Sequence, residues 1–279
     1  MSSRVHIPFT KMQGAGNDFV VLDNREGRWE REQIIEWTPR LCNRRFGIGG
    51  DGVISLEAPD MEEADCTMFY RNADGSDAGM CGNGARCLAL LAHRLGMEDE
   101  LAFNVHDVLY RARVESRDRV HIAFPVEAGV ETVRLSQDWK VYKTYTGTEH
   151  IVIPISKRRL DDEGWLRTTG EKLRNHDAFN PPGTNVNFIS SLEDRVLRMQ
   201  TYERGVEDLT LACGTGAIAS ALVWHFLRQS PNTEDTCEVR APGGRLYVHF
   251  RYDAEQEHYT DIELAGPARA VFEGSYVLD

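Results

Sequence analysis

The chain lacks any long apolar run. Its best stretch, Ala217 to Trp224, ends at His225 and falls well short of the ~20 residues a membrane helix needs. The N-terminus, Met1-Ser2-Ser3-Arg4-Val5-His6-Ile7-Pro8, has no apolar segment of the secretory kind, so a cytoplasmic location is expected. Basic charge is also scarce. Against 44 Asp and Glu stand 32 Lys and Arg, a net charge of −12. That balance argues against nucleic acid and anionic membrane as partners, because both require an electropositive face. No CxxC pair occurs and the nine histidines show no ligand spacing, so no metal site is expected. Six cysteines (42, 66, 81, 87, 213 and 237) in a chain of 279 residues without a secretory signal read as reduced thiols rather than three disulfides. With 41% apolar and 27% charged residues, disordered, collagen-like and coiled-coil classes are excluded. The length fits two domains, each able to bury its own core.

What is present is mostly short strands. Apolar and polar residues alternate from Tyr110 to Glu115 and again from Val120 to Phe124, with Ser116-Arg117-Asp118 between them, which predicts a hairpin. Strand signals recur at Cys66–Tyr70, Val141–Tyr145, Ile151–Ile155, Val196–Tyr202, Arg245–Tyr252 and Asp261–Leu264. Two segments differ. GNGARCLALLAHRLG after Cys81 and GTGAIASALVWHFLR after Cys213 are rich in Ala and Leu, lack internal proline, and read as buried helices. Both open on the same turn, Cys81-Gly82-Asn83-Gly84-Ala85 and Cys213-Gly214-Thr215-Gly216-Ala217, 132 residues apart (213 − 81), about half the chain. The expectation is an α/β protein of the α+β type, made of two pseudo-symmetric halves. Each half is a mostly antiparallel sheet or barrel wrapped around one central helix. Pro125 to Gly129 marks the seam.

A cysteine immediately before a helix has a distinctive chemistry. The helix N-terminus carries partial positive charge and unpaired N–H donors, so it attracts anions and lowers the pKa of an adjacent thiol. One such turn makes a reactive cysteine beside an anion pocket. Two acting on one carbon acid can invert it: a thiolate removes the Cα proton and a thiol returns one to the opposite face. The helix starts would stabilise carbanion charge on the carboxylate, where one donor is worth ~10²–10³ in rate, and the paired acid and base add ~10²–10⁴. A Gly-x-Gly at a helix start is usually only a tight turn, and a buried cysteine usually a small hydrophobe. Duplication at half-chain spacing is what singles these two out. Cys87, about 240° around the helix from Cys81, is expected in the core, and Cys42, Cys66 and Cys237 are expected to be structural.

Four segments, HIPFTKMQGAGNDFVVLDN, YRNADGSDAGMCGNGARC, PPGTNVNFI and YERGVEDLTLACGTGAIAS, together with the closing GPARAVFEGSY, resemble the diaminopimelate epimerase family over essentially the whole chain. The resemblance implies a cofactor-independent enzyme that interconverts LL- and meso-diaminopimelate, precursors of lysine and peptidoglycan. It implies halves at 1–126 plus 268–279 and at 127–267, the last strand returning to the first half, and a homodimer. By motif, it makes Cys81 and Cys213 the catalytic acid and base, with His150 and Glu203 tuning the thiols. The amides of Gly82, Asn83, Gly214 and Thr215 would hold the α-carboxylate, and Asn17, Asn72 and Asn185 would contact substrate. Glu203 and Arg204 would address its distal amino and carboxylate groups, the guanidinium suiting a carboxylate by bidentate geometry.

Three positions depart from the family pattern. Thr148-Glu149 stands where many members have Asn-Pro, which leaves open either a missing substrate-facing amide or a hydroxyl supplied in its place. Gly52 occupies a position where some members carry glutamine, and Leu209 replaces a common Glu. The nearest rival is a same-fold racemase of proline, hydroxyproline, glutamate or histidine. A nicotinamide oxidoreductase is a weaker one: Gly214-x-Gly216-x-x-Ala219 fits the dinucleotide fingerprint, but needs a parallel βαβ unit and an acid ending the next strand. Glu234 lies at the right distance in SPNTEDT, which reads as a loop. A cysteine hydrolase using Cys81 and His150 would leave the second cysteine turn unexplained, and a non-catalytic binding module would exchange the α-proton of no amino acid.

Overall fold

A computed structural model describes residues 4–136 and 139–278. In chain order the elements are β1 (Val5–Gly14), β2 (Asn17–Asn24), α1 (Arg31–Cys42), β3 (Gly52–Glu57), β4 (Cys66–Asn72), α2 (Gly82–Arg94), β5 (Glu100–Val105), β6 (Val108–Ser116) and β7 (Arg119–Phe124). Then follow β8 (Glu131–Arg134), β9 (Lys140–Tyr145), β10 (Glu149–Pro154), α3 (Lys157–Leu160), α4 (Glu163–Arg174), β11 (Asn185–Glu193), β12 (Val196–Glu203) and β13 (Asp208–Thr210). The remainder are α5 (Gly214–Arg228), β14 (Glu234–Ala241), β15 (Gly244–Asp253), β16 (His258–Gly266) and β17 (Arg269–Leu278). The chain forms two compact units, Met1–Ala123 with Gly266–Asp279, and Phe124–Ala265.

In the first unit, β1 pairs antiparallel with β2 and β17, and β3 with β4. The meander β5-β6-β7 is also antiparallel. Two parallel joints link these pieces, β2 to β3 through α1 and β4 to β5 through α2. The strands enclose α2, which packs on β1, β2, β3, β6 and β17. Residues 82–92 of that helix are buried without exception. Gly96, at φ +92, takes the left-handed conformation that closes it. Helix α1 covers the other face of the sheet, packing Ile34, Trp37 and Leu41 on Val20, Leu22 and Val53.

The second unit repeats this plan in the same order and sense. Antiparallel β9–β10 leads by a parallel joint, through α3 and α4, to antiparallel β11–β12. A second parallel joint, β12 to β14 through α5, leads to the meander β14-β15-β16. Strand β8 adds to β9 as β17 adds to β1. Here α5 is the enclosed helix, and α4 covers the outside through Leu166 and Leu173 against Phe188 and Tyr202.

Both predicted helices and the predicted hairpin are present, and in each unit the strands are mostly antiparallel around one helix. One sequence expectation needs correction. SPNTEDT is not all loop: Glu234 opens β14, and β12-α5-β14 is a parallel crossover. The acid therefore lies at the beginning of the following strand, opposite to the end at which dinucleotide-binding folds hold the ribose.

Candidate active site

Each half places its cysteine as the N-cap of the enclosed helix, with nearly the same backbone. Cys81 has φ −117 and ψ 110, and Cys213 φ −117 and ψ 113. The next glycine but one explains the spacing. A Cβ on Gly84 would lie 2.8 Å from Ile54 Cδ1 and 3.1 Å from Met68 Cε. One on Gly216 would overlap Asn187 Oδ1. Only glycine lets the first helical turn settle this close to the strands beneath it.

Around Cys81, the sulfur accepts the Gly84 N–H at 3.5 Å and donates to Asn17 Oδ1 at 3.7 Å. A donor on one side and an acceptor on the other suit a group that alternates between thiolate and thiol. The orientation of Asn17 follows from its other contact, because its Nδ2 donates to the Asp51 carboxylate, which can only accept. That leaves Oδ1 facing Cys81 and the Asn83 amide, whose Nδ2 donates to it at 3.4 Å. Asp51 also takes the Asp18 N–H at 3.2 Å and an Arg44 N–H at 2.7 Å. Burial raises the Asp18 carboxyl, but Arg44 and Lys11 outweigh it and hold it below the usual range. The Lys11 ammonium lies 2.6 Å from it.

Arg86 is the least expected member of this cluster. It is fully buried and hydrogen-bonds three oxygens: Asn83 Oδ1 at 2.7 Å, Gly82 O at 3.2 Å and Pro267 O at 3.2 Å. Burial pulls its pKa down to about 10, opposed by the charges of Cys87 and Cys81. A guanidinium remains cationic at that value, so a permanent positive charge sits in the first turns behind Cys81 and favours its thiolate.

Around Cys213, Thr215 Oγ1 lies 3.6 Å from the sulfur and 2.9 Å from His150 Nε2. His150 is fully buried, and its pKa is pushed down to about 3 by burial and secondarily by Arg204. Its Nδ1 meets Asn187 Nδ2 at 3.0 Å. Asn185 donates through Nδ2 to Glu149 O at 3.1 Å and accepts the Arg204 N–H at 2.9 Å. The Arg204 guanidinium donates to Thr148 Oγ1 at 2.9 Å and Gly183 O at 3.4 Å. The Thr148 hydroxyl thus occupies itself with Arg204. Glu203 ends β12, half-buried and opposite Asp208.

Of the residues singled out from sequence, Asn17, Cys81, Gly82 and Asn83 gather in the first unit. His150, Asn185, Arg204, Cys213, Gly214 and Thr215 gather in the second. Asn72 does not join the Cys81 cluster through its side chain: it ends β4 and donates to Ser76 Oγ at 3.1 Å and Asp77 O at 3.2 Å in its own loop. Gly52 is glycine for a local reason, since a Cβ there would strike the Tyr70 ring and the Arg71 carbonyl. Asp51, Arg86, Asn187 and Thr201 were missed from sequence. A charge among the small and apolar residues of the first two turns of α2 was the available signal for Arg86. For Asn187 it was the second asparagine of TNVNF, on the same strand face as Asn185. Cys42, Cys66, Cys87 and Cys237 are buried, with thiols pushed up to about 12 by desolvation, which makes them inert. Among the described residues, no three His, Cys, Asp or Glu side chains are grouped to hold a metal.

Comparison with known proteins gives the family and the fold. The diaminopimelate epimerase family model matches residues 9–108 and 142–270. A diaminopimelate epimerase of Chlorobaculum tepidum is 37% identical over 271 residues, covering 96% of this chain and 100% of that one. Among solved structures, a PhzF-family phenazine biosynthesis protein of Bacillus anthracis superposes with a TM-score of 0.77 at 13% identity, covering 98% and 100% of the two chains. A hydroxyproline epimerase of Agrobacterium vitis does so with 0.67 at 15%, covering 98% and 93%. The last two share the fold. The family match spans most of the chain and includes both cysteine turns, so the chain belongs to the diaminopimelate epimerase family.

Proposed function

We propose that this chain interconverts LL- and meso-diaminopimelate, using Cys81 and Cys213 as a thiolate–thiol pair without a cofactor. One sulfur, as thiolate, takes the α-proton and becomes a thiol. The electron pair left on Cα delocalises into the carboxylate, near the amides of Gly82-Asn83 and Gly214-Thr215. The other sulfur, as thiol, gives its proton to the opposite face and becomes the thiolate. Proton and charge balance, and the two sulfurs have exchanged protonation states. The observation that carries this reading is the duplicated N-cap: two cysteines held at the same backbone angles on two equivalent helices. Arg204 favours a substrate with a second carboxylate, because its guanidinium is held by neutral oxygens of Thr148 and Gly183.

The test is solvent isotope incorporation. In deuterium oxide the protein should convert LL-diaminopimelate to the meso form with deuterium at the inverted centre. Cys81→Ala and Cys213→Ala should each abolish it. Loss in only one variant would defeat the paired assignment, and equal turnover of proline or glutamate would favour a same-fold racemase.

We also infer a cytoplasmic homodimer. Support for the dimer comes from β17, which leaves Val271, Phe272 and Val277 exposed, with Phe9 edge-on to Phe272 at 5.8 Å. Among the described residues, no helix is long and apolar enough to cross a membrane.

A further inference from the structure

Building on the reading of Cys213 as half of the acid–base pair, we propose that Asn187 is a positioning residue. It fixes the tautomer of His150 and so directs the Thr215 hydroxyl proton onto the Cys213 sulfur. No part of the family resemblance assigns Asn187 or Thr201 a role.

Each direction in the chain of hydrogen bonds follows from the one before it. Asn187 faces the Ile151 carbonyl at 3.0 Å, and a carbonyl only accepts, so the amide nitrogen must point there. Its oxygen then receives the Thr201 hydroxyl at 2.8 Å. The reversed amide would set two oxygens against each other at Ile151. The second hydrogen on Nδ2 goes to His150 Nδ1 at 3.0 Å, which must therefore carry a lone pair. A fully buried neutral imidazole with an unprotonated Nδ1 has its proton on Nε2. That proton goes to Thr215 Oγ1 at 2.9 Å. With an oxygen lone pair so engaged, the hydroxyl hydrogen is available to Cys213 Sγ at 3.6 Å. A donor aimed at sulfur favours the thiolate.

The fold does not require this arrangement. Position 54 is the third residue of β3 and position 187 the third of β11, and both sit under the equivalent helical glycine. In the first unit the residue is isoleucine, which packs without any polar network. Burying an amide, a hydroxyl and an imidazole where an aliphatic side chain fits incurs desolvation that apolar packing would avoid. Charged groups near this relay include Arg204, which acts on His150, Glu203 at the end of β12, and Glu149, next to His150 in β10 with a buried carboxylate oxygen. The first turn of α5 holds no acidic residue. His225, Asp235 and Tyr259 lie toward the C-terminal end of that helix.

The experiment reads tautomer and thiol titration rather than turnover. In 15N-histidine spectra of the full chain, His150 (assigned by His150→Gln) should show an unprotonated Nδ1 and a protonated Nε2 between about pH 5 and 9. A protonated Nδ1 overturns the proposal. Asn187→Asp preserves shape but replaces the donor with an acceptor, and should move the proton to Nδ1. The alkylation midpoint of Cys213, followed by peptide mass spectrometry, should then rise by about one pH unit, about tenfold less thiolate. The Cys81 midpoint should stay where it was. Thr215→Val cuts the relay at its other end, so it should raise the Cys213 midpoint and leave the His150 tautomer unchanged. An unmoved Cys213 midpoint in Thr215→Val is enough to refute the proposal, whether or not Asn187→Asp folds. Failure of the epimerase reading would show separately, as an active Cys213→Ala.

Discussion

Replacing Arg86 by methionine should separate stability from reactivity. Among the described residues no carboxylate pairs with the buried guanidinium, and its pKa of about 10 lies below the ordinary 12.5. That depression corresponds to a penalty on the charged form of order 3 kcal/mol. Against it stand hydrogen bonds to Asn83 Oδ1, Gly82 O and Pro267 O, each contributing about 1.5–3 kcal/mol for a charged donor. Methionine removes both the penalty and the bonds, so the unfolding free energy should fall by the difference, about 1.5–6 kcal/mol. The effect on Cys81 is electrostatic. Arg86 lies five residues along the helix from Cys81, about 7.5 Å of rise. At ~7 Å and an effective dielectric of ~20, a unit charge stabilises the thiolate by ~2.4 kcal/mol, nearly two pH units. In Arg86→Met the Cys81 alkylation midpoint should therefore rise by about one to two pH units. The value of kcat/KM at neutral pH should fall about ten- to a hundredfold, equally in both directions because the isomer equilibrium is fixed. Arg86→Lys keeps the charge and should recover most of the loss. Urea melts establish folding, and chiral chromatography of diaminopimelate reports turnover. A folded Arg86→Met with the parent Cys81 midpoint and kcat/KM within about twofold would refute the electrostatic role assigned to this residue.

Two further outcomes follow from the second unit. His150 is held far below the ordinary histidine value by burial, so the unfolded chain binds a proton that the native chain refuses between pH 6.5 and about 3. Stability is therefore full above pH 6.5 and falls as pH drops through that window, by up to about 4–5 kcal/mol; urea melts from neutral to acid pH should show this slope, flattened in His150→Gln. Thr148→Val removes the acceptor for the Arg204 guanidinium and should raise KM for diaminopimelate several-fold, about 1 kcal/mol, with kcat little changed; an equal fall in kcat at constant KM would show that Thr148 serves the chemical step instead.

The sequence disclosed some strands through their alternation and hid others whose two faces are both covered. Strands β6 and β7 alternate and were found. Strands β2 and β3 read as Phe19-Val20-Val21-Leu22 and Val53-Ile54-Ser55-Leu56 because α2 covers one face and α1 the other, so burial is continuous and the period of two disappears. Helix α4 escaped notice for a different reason. Its Gly170 lowers helix propensity, yet a Cβ there would lie 2.6 Å from Tyr202, so packing decides against propensity. The cysteine turns were legible because glycine spacing at a helix start is a backbone demand. Arg86 and Asn187 were not, because nothing local distinguishes a buried polar residue from an exposed one. Only the folded chain shows what lies around it.

A duplicated backbone sets a problem that the side chains must solve. Equivalent N-cap angles and equivalent helix starts would give both cysteines the same thiol chemistry. A proton taken from one face and returned to the other needs one sulfur charged and one neutral when the substrate arrives and again when the product leaves. Two identical sites would make those two arrangements equal in energy, with nothing to set either. The core residues under the two turns are in fact exchanged in character. The first half puts a cation on the helix, Arg86, above an aliphatic strand position, Ile54. The second puts an aliphatic residue on the helix, Ile218, above a polar strand position, Asn187. A full charge acts on Cys81 and a neutral donor chain on Cys213, so the thiols can be tuned independently, by changes one half tolerates and the other never feels. That separation is what a common backbone could not supply, and it explains why the polar residues most deeply buried in each helix–sheet layer are the ones the two halves do not share.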